Sequence, residues 1–190
     1  MNLIKTTLAA VLVSSLSMPV IAEVDPNVAQ SRQIVKEFFK TLKGELVAGI
    51  KAGGPVNALD VCKTKAMSIA IEQSMKHNMR VARTSLKVRN PANSPDDWEE
   101  KVLHEFDKRK ANGESPKTME YSEIVTNQAG RKQFRYMKAI PTAQKPCMAC
   151  HAEKVKPAVE AKLKELYPND KARGYKPGDI RGAFTITKDL

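Results

Sequence analysis

The sequence predicts an α+β domain in which an antiparallel sheet is flanked by helices. Three observations lead to this fold class. Apolar residues recur at helical spacing in the first third of the chain, shorter alternating runs dominate later, and two of those runs flank the turn sequence NQAG at 127–130. Because that turn joins its two strands as a hairpin, these strands are expected to pair antiparallel.

The first 22 residues have the pattern of an export signal. One lysine precedes an uncharged apolar run, and Val20 and Ala22 stand at the small-residue spacing that a signal peptidase recognises. Retention as a membrane anchor is the alternative, but the run is short and is interrupted by serines and a proline. We therefore expect residues 1–22 to be removed on export to the periplasm, and residues 23–190 to form a single domain.

Two helices are expected at the start of the exported chain. Apolar residues recur from Val28 to Ile50 at helical spacing, and the sequence AGGP at 52–55 interrupts that pattern. Pro55 suits the first turn of a second helix. One side of this second helix carries Leu59, Cys62, Ala66, Ile69 and Gln73. The Cys62 thiol is therefore expected to face inward.

An alternating run follows at 80–90. Its sequence RVARTSLKVRN predicts a strand with Ala82 and Thr84 on the buried face. Arg83 and Arg89 are then expected in a cationic row on the outer face.

The rest of the chain predicts one helix before the hairpin and a helical insertion after it. Ser94 is the expected N-cap of the helix, and Asn112 and Gly113 are expected to end it. The insertion is expected at 141–166, just before the last strand. Strands are expected at 119–126, 132–140 and 182–190.

The helical insertion contains the most specific motif of the chain. Cys147-Met-Ala-Cys150-His151 has the Cys-x-x-Cys-His spacing of covalent c-type haem attachment. Two thiols one helical turn apart can form thioethers with the two haem vinyl groups, and the imidazole of the next residue then reaches the iron. The sequence thus predicts one haem c, bound through Cys147 and Cys150, with His151 as the proximal iron ligand.

Two other interpretations of the motif remain open. A thioredoxin-type Cys-x-x-Cys stands where a strand enters a helix of a βαβ unit, whereas this motif follows antiparallel strands. A zinc site is the other interpretation, because Cys62, Cys147, Cys150 and His151 add up to a Cys₃His ligand set. Adjacent Cys150 and His151 would bind one tetrahedral ion only with strain, so haem is favoured over both alternatives.

The second axial position of the iron has several candidates. His104 is expected to point away from the apolar stripe of its helix, and His77 stands at a helix C-terminus, where an imidazolium interacts well with the helix dipole. The exported chain also has six methionines, which are typical core residues. From the pattern by itself, Cys62 is equally well an iron ligand or a buried thiol, and an intermolecular disulfide is a further alternative.

Four blocks of sequence resemble the Tll-like family. This is a family of small exported c-type haem proteins of unassigned function, and it is known structurally from a cyanobacterial member. The blocks are ALDVCKTKA, RVARTSLKVRNPANSPDDWE, FRYMKAIPTAQKPCMACH and YPNDKARGYKPGDIRGAFTI, in the order of that family. The resemblance implies a PAS-like fold with a haem-bearing helical insertion before the last strand. It also implies that His151 and Cys62 hold the iron from opposite sides.

A His/Cys ligand pair has chemical consequences. A thiolate compensates ferric charge, so the haem potential is expected to lie well below that of His/Met cytochromes. Release of Cys62 on reduction is a hypothesis that would open the iron to a diatomic gas. The haem carboxylates need cations or donors, and Arg83, Arg89 and Tyr136 are candidates for these contacts. Coating of a sheet edge is the alternative role for the two arginines.

The charge and composition of the chain limit which partners and which functions are expected. The formal charge of +11 becomes +10 without the signal, and no basic motif with interleaved aromatic residues indicates a nucleic-acid partner. An acidic redox protein suits Lys145, Lys154 and Lys156 around the motif, and any membrane contact is expected to be peripheral. We expect an exported cytochrome for electron transfer or redox poise; the alternative is a redox or gas sensor that acts through a separate protein. A peroxidase-like enzyme is not expected, because Cys62 would occupy the open iron position that it needs.

Overall fold

A computed structural model of the chain describes residues 24–190, so the expected export signal lies outside the described residues. The predicted α+β class, an antiparallel sheet flanked by helices, is confirmed. In chain order the elements are α1 (Pro26–His77), β1 (Arg80–Thr84), a 3₁₀ turn (Pro91–Asn93), α2 (Asp97–Ala111), β2 (Glu120–Thr126), β3 (Lys132–Pro141), α3 (Met148–His151), α4 (Pro157–Leu166) and β4 (Ile180–Asp189). The short helices α3 and α4 form the expected insertion between the hairpin and the last strand.

Helix α1 folds back on itself at the predicted break. Gly53 and Gly54 leave helical geometry, and Gly54 adopts φ 72°, which favours glycine because it has no Cβ. The Nζ atom of Lys76 lies 2.7 Å from a carboxylate oxygen of Glu37, although a straight helix would separate these residues by about 58 Å. The two arms of α1, 26–52 and 55–77, therefore pack side by side as an antiparallel pair.

The sheet lies between α1 and α2. Its strand order is β1-β4-β3-β2, and all neighbouring strands are antiparallel. Side chains alternate between the two layers: Tyr136 and Ile186 pack in the cluster beneath α1, whereas Met137 and Ala183 pack with α2. Both faces of the central strands are thus covered.

This layering overturns the expected outer row of arginines. β1 ends at Thr84 rather than at residue 90, and Arg83 shares its face with Val81, which packs beneath α1. The guanidinium carbon of Arg83 lies 5.9 Å from the ring centroid of Phe38 on that helix. The prediction is wrong because it assigned this face of the strand to solvent, whereas α1 packs over it.

Helix α2 begins two residues later than expected. Asp96, not Ser94, is the N-cap, and its carboxylate accepts a hydrogen bond from the Glu99 backbone N–H at 2.9 Å. The Glu99 carboxylate in turn accepts from the Asp96 N–H, which completes a capping box. The predicted end at Asn112 and Gly113 is confirmed. Within residues 24–190, no helix combines the length and the apolar character that crossing a bilayer requires.

Candidate functional site

A cavity between α1 and the insertion brings together the four residues with metal-binding or thioether chemistry. Cys62, Cys147, Cys150 and His151 all line it, although 85 residues separate the first cysteine from the second. Its volume is about 650 Å³, including the part that opens to solvent, which lies in the range of cofactor sites. Apolar side chains of α1 provide much of its lining: Leu42, Leu46, Ile50, Pro55, Ala58 and Leu59.

The cavity has two walls of different construction. The motif wall consists of residues 146–151 and the loop 170–173 behind them. The helix wall consists of the two arms of α1 that face it. Cys62 belongs to the helix wall, whereas Cys147, Cys150 and His151 belong to the motif wall.

The motif forms a single helical turn. The backbone N–H groups of Cys150 and His151 both donate to the Cys147 carbonyl, at 3.2 and 3.0 Å. This three-residue spacing places the two thiols on one side of the turn. Cys150 also packs against the cluster that includes Leu59 and Val159, and burial raises the pKa of its thiol.

A hydrogen bond from outside the motif fixes the orientation of the His151 ring. Its Nδ1 atom lies 2.9 Å from the Ala172 carbonyl oxygen, so Nδ1 carries the hydrogen and Nε2 keeps its lone pair. Metal-binding histidines are typically held in this way. Burial, together with the positive charges of Arg181 and Arg89, holds the pKa of His151 well below its usual value. The imidazole is therefore neutral at pH 7, the form that binds a metal.

Arg89 ties the motif to the loop that holds His151. Its Nε and Nη2 atoms donate to the two carboxylate oxygens of Asp170, each at 3.0 Å. Nη2 also donates to the carbonyls of Cys150 at 2.7 Å and of Ala172 at 3.2 Å. Arg89 thus borders the cavity, but its guanidinium is engaged by the protein.

Arg83 and Arg181 extend into the same cavity without such partners. Both are half-buried, and neither side chain forms a hydrogen bond or an ion pair with residues 24–190. Burial lowers the pKa of Arg83 to about 10, and the positive charge of Arg181 contributes to this effect. The Arg83 guanidinium is nevertheless protonated at pH 7.

Sequence patterns missed Arg181 because a β-bulge directs it. The pairing of β3 with β4 shifts between Ala139 and Pro141, so one extra residue is accommodated in β4. Ile180 and Ala183 consequently both pack with α2, although residues three positions apart in a regular strand lie on opposite faces. Arg181 is turned to the opposite side, into the cavity. Gly182, an isolated glycine in an alternating run, was the available signal for the bulge.

Tyr136 does not belong to this site. Its side chain is fully buried beneath α1, and its hydroxyl donates to the Glu120 carboxylate at 2.7 Å. The expectation that Tyr136 contacts the haem pocket is therefore wrong. Tyr136 lies on the side of β3 that faces α1, but it does not line the cavity. His104 is exposed on α2, and the His77 ring lies 3.5 Å from Glu37. Neither histidine lines the cavity, and the same holds for Met67, Met75, Met79, Met119, Met137 and Met148.

The arrangement of the four chemistry-bearing residues bears on the zinc interpretation. Within residues 24–190, no group of three or more His, Cys, Asp or Glu side chains is close enough to hold a metal ion by itself. Cys62, Cys147, Cys150 and His151 therefore surround the cavity without converging on a point, as a Cys₃His zinc site requires. Their arrangement suits a larger group placed between them.

Comparisons with known proteins agree with the resemblance seen in the sequence. The crystal structure of the cyanobacterial haem protein Tll0287 matches with a TM-score of 0.67 and 20% sequence identity, over 88% of this chain and 98% of that chain. At this identity the match shows a common fold. No curated protein matches the chain. The family model Tll0287-like matches residues 10–188, so the chain belongs to the Tll0287-like family, as the sequence blocks predicted.

Proposed function

We propose that this chain is an exported monohaem c-type cytochrome that acts in electron transfer or redox poise. One haem would be bound covalently through Cys147 and Cys150, and His151 and Cys62 would hold its iron. The observation that carries the proposal is the presence of these four residues around one largely apolar cavity. The fold match with Tll0287, which is described as a haem protein, also supports it.

The residues of the cavity suit a haem in three respects. Aliphatic side chains on the helix wall provide the apolar surface that a porphyrin ring requires. His151 is neutral and keeps an unprotonated Nε2, because Nδ1 donates to Ala172. Cys147 and Cys150 are free thiols on the same helical turn. These are the groups that covalent attachment and proximal ligation need.

The haem supplies one-electron redox chemistry when bound, and the protein sets its potential and its access to solvent. As a thiolate ligand, Cys62 would favour the ferric state and lower the potential relative to a His/Met pair. His151 is held at a fixed orientation by Ala172, while Leu42, Leu46 and Ile50 exclude water from one side. The site thus favours electron storage or transfer over chemistry at an open iron position.

An acidic redox protein is the proposed partner. Lys145, Lys154 and Lys156 flank the motif, are exposed, and form no ion pair with residues 24–190. Such unpaired cations around a redox centre attract an acidic surface, and salt screens that attraction. The rate of electron exchange with an acidic partner is expected to fall as ionic strength rises. Export of the chain is part of this proposal. Mass spectrometry of the protein from its native host tests it, because cleavage after Ala22 leaves a chain that begins at Glu23.

Spectra of the purified protein test the ligand assignment. Low-spin thiolate features in the ferric absorption and EPR spectra are expected for the wild type and should be lost in Cys62→Ala. His104→Ala is the matched control, because this exposed residue on α2 lies outside the cavity. An unchanged spectrum in Cys62→Ala would remove Cys62 as a ligand.

Two further measurements separate the proposal from its alternatives. Haem that stays with the polypeptide on a denaturing gel, and is lost in the Cys147→Ser/Cys150→Ser double variant, supports covalent attachment. Stoichiometric zinc without haem would contradict the proposal. Binding of CO to the ferrous wild-type protein would favour the sensor function, since it requires an accessible iron position.

A further inference from the structure

Arg83 and Arg181 present an unusual concentration of positive charge. Both guanidinium groups are half-buried and line the same cavity, and their side chains have no hydrogen-bond or ion-pair partner in residues 24–190. No Asp or Glu side chain lines this cavity. Two partly desolvated like charges repel each other, and no carboxylate in the described part of the chain neutralises them. The one aromatic contact, of Arg83 with the Phe38 ring at 5.9 Å, leaves its charge in place.

The other partly buried arginines of the fold behave differently. Arg89 pairs with Asp170, Arg109 with Glu114, Arg135 with Asp96 and Glu99, and Arg173 with Glu160 and Asp170. Each of these charges is neutralised within the protein. Arg83 and Arg181 are therefore exceptions to a rule that the rest of the structure follows, and their common location indicates a common anionic ligand.

Their positions are built into the sheet. Arg83 lies on the face of β1 that packs beneath α1, and the bulge in β4 turns Arg181 to the same side. β1 and β4 are neighbours, and Arg83 pairs with Phe184 in their register. The two guanidinium groups therefore reach the cavity from adjacent strands, each able to form a two-point contact with a carboxylate.

We infer that Arg83 and Arg181 bind the two carboxylates of the group that occupies the cavity, which are the propionates of the haem. This inference rests on the proposed function, and it assigns two different roles to the three arginines of the cavity. Arg83 and Arg181 bind the ligand, whereas Arg89 positions the motif through Asp170, Cys150 and Ala172. It replaces the sequence-based expectation that Arg83, Arg89 and Tyr136 make these contacts.

Resonance Raman spectra of the mature haem protein test the inference. The propionate bending bands are expected to shift in Arg83→Gln and in Arg181→Gln, because each variant removes a charged donor from a carboxylate. Arg131→Gln is the matched control: this arginine is exposed beside the β2–β3 turn and has no side-chain partner within residues 24–190. Unchanged propionate bands in both cavity variants would overturn the inference.

Binding of free porphyrins to the full-length chain made without haem gives an independent measurement. Haem is expected to bind more tightly than its dimethyl ester, by about tenfold for each carboxylate that loses a charged hydrogen bond. In the Arg83→Gln/Arg181→Gln double variant this preference should disappear, while affinity for the ester is retained. If the double variant keeps the preference, the inference is wrong. If the wild type binds neither porphyrin and the mature protein carries no haem, the proposed function itself fails.

Discussion

The two walls of the cavity hold their functional residues in different ways. On the motif wall, His151 and Cys150 are fixed by polar contacts from Ala172 and Arg89, and Asp170 holds that arginine in place. On the helix wall, the Cys62 side chain forms no hydrogen bond within residues 24–190, and its neighbours are mainly aliphatic. One wall is positioned by hydrogen bonds and charge, and the other by the packing and folding-back of a helix.

This difference predicts which wall is rigid and which can move. A side chain held by several oriented hydrogen bonds has one geometry, whereas a side chain on a packed helix can shift with its apolar neighbours. Four predictions test this contrast, and the first has the largest expected effect.

Removal of the central carboxylate should damage the motif wall most. Asp170→Ala leaves Arg89 without a carboxylate partner and leaves the Ala172 N–H without its acceptor. Arg173 loses one of its two carboxylate partners and keeps Glu160. The Asp170 side chain is only 8% exposed, so we expect a loss of about 3–5 kcal/mol in unfolding free energy. Guanidinium chloride unfolding at pH 7 measures this loss.

The control for this variant is an exposed ion pair. Glu165→Ala removes a carboxylate that is 64% exposed and pairs with Lys162, so a change below about 1 kcal/mol is expected. Similar losses in the two variants would show that Asp170 is an ordinary surface charge.

Truncation of Leu59, an apolar side chain between α1 and the insertion, should lower the stability of the protein. Leu59 on α1 is 1% exposed and packs with Val159 and Leu163 of α4. Leu59→Ala is expected to cost about 2–4 kcal/mol in unfolding free energy, because it removes buried methyl groups and leaves a cavity. The same denaturation experiment measures it.

Met67→Ala provides the comparison on the same arm of α1. Met67 is exposed, so its truncation should change stability by less than about 0.5 kcal/mol. A small effect of Leu59→Ala would contradict the view that apolar packing positions the helix wall.

The fold-back of α1 should depend on one glycine. Gly54 has φ 72° and ψ −167°, a conformation that residues with a Cβ rarely adopt, and nothing lies within 4 Å of an added Cβ. Gly54→Ala should therefore cost about 1–3 kcal/mol through backbone strain and not through a clash. Thermal unfolding followed by circular dichroism measures the change.

A second glycine in α1 predicts the opposite sign. Gly44 lies within the helical first arm, and an added Cβ would meet nothing within 4 Å. Gly44→Ala should stabilise the protein by about 0.5–1 kcal/mol, because alanine loses less conformational entropy in a helix. If Gly54→Ala and Gly44→Ala changed the stability in the same direction, the φ angle at Gly54 would not control the turn.

The smallest expected effect is a pH dependence of the motif wall. Burial by itself would raise the pKa of the Asp170 carboxyl, but the hydrogen bonds and positive charge of Arg89 outweigh it and hold the pKa below its usual value. A lowered folded-state pKa contributes stability above the unfolded pKa, near pH 4, and this contribution is lost as pH falls through the folded value.

Unfolding free energies measured from pH 6 to pH 2 test this sign. The stability of the wild type should fall more steeply in acid than that of Asp170→Asn, whose side chain does not titrate. Parallel curves for the two proteins would show that Asp170 has the same pKa in the folded and unfolded states.

Local patterns predicted the α+β class, the break at 52–55, the hairpin and the insertion, because each depends on residues close together in the chain. The Cys-x-x-Cys-His motif is equally local, since its spacing is that of one helical turn. The inward direction of Cys62 followed from helical periodicity. In these cases the sequence was sufficient to predict the local structure, because helical and strand geometry repeats every few residues.

Local patterns failed where two elements meet. Arg83 was placed on a solvent face, whereas α1 packs over the face of β1 that carries it. Arg181 was missed, since a bulge opposite Ile140 sets its direction. The pairing of Arg89 with Asp170 joins residues 81 positions apart, and no periodicity reports such a contact.

The sequence by itself therefore determined which chemical groups this protein carries: two thiols on one helical turn, the adjacent imidazole and a distant third thiol. Only the tertiary structure decided that they surround one cavity, and that two of the three arginines lining it have no carboxylate partner within residues 24–190. The physical reason is the range of the interactions. Backbone periodicity extends over a few residues, whereas ion pairing and layer packing depend on which distant segments meet.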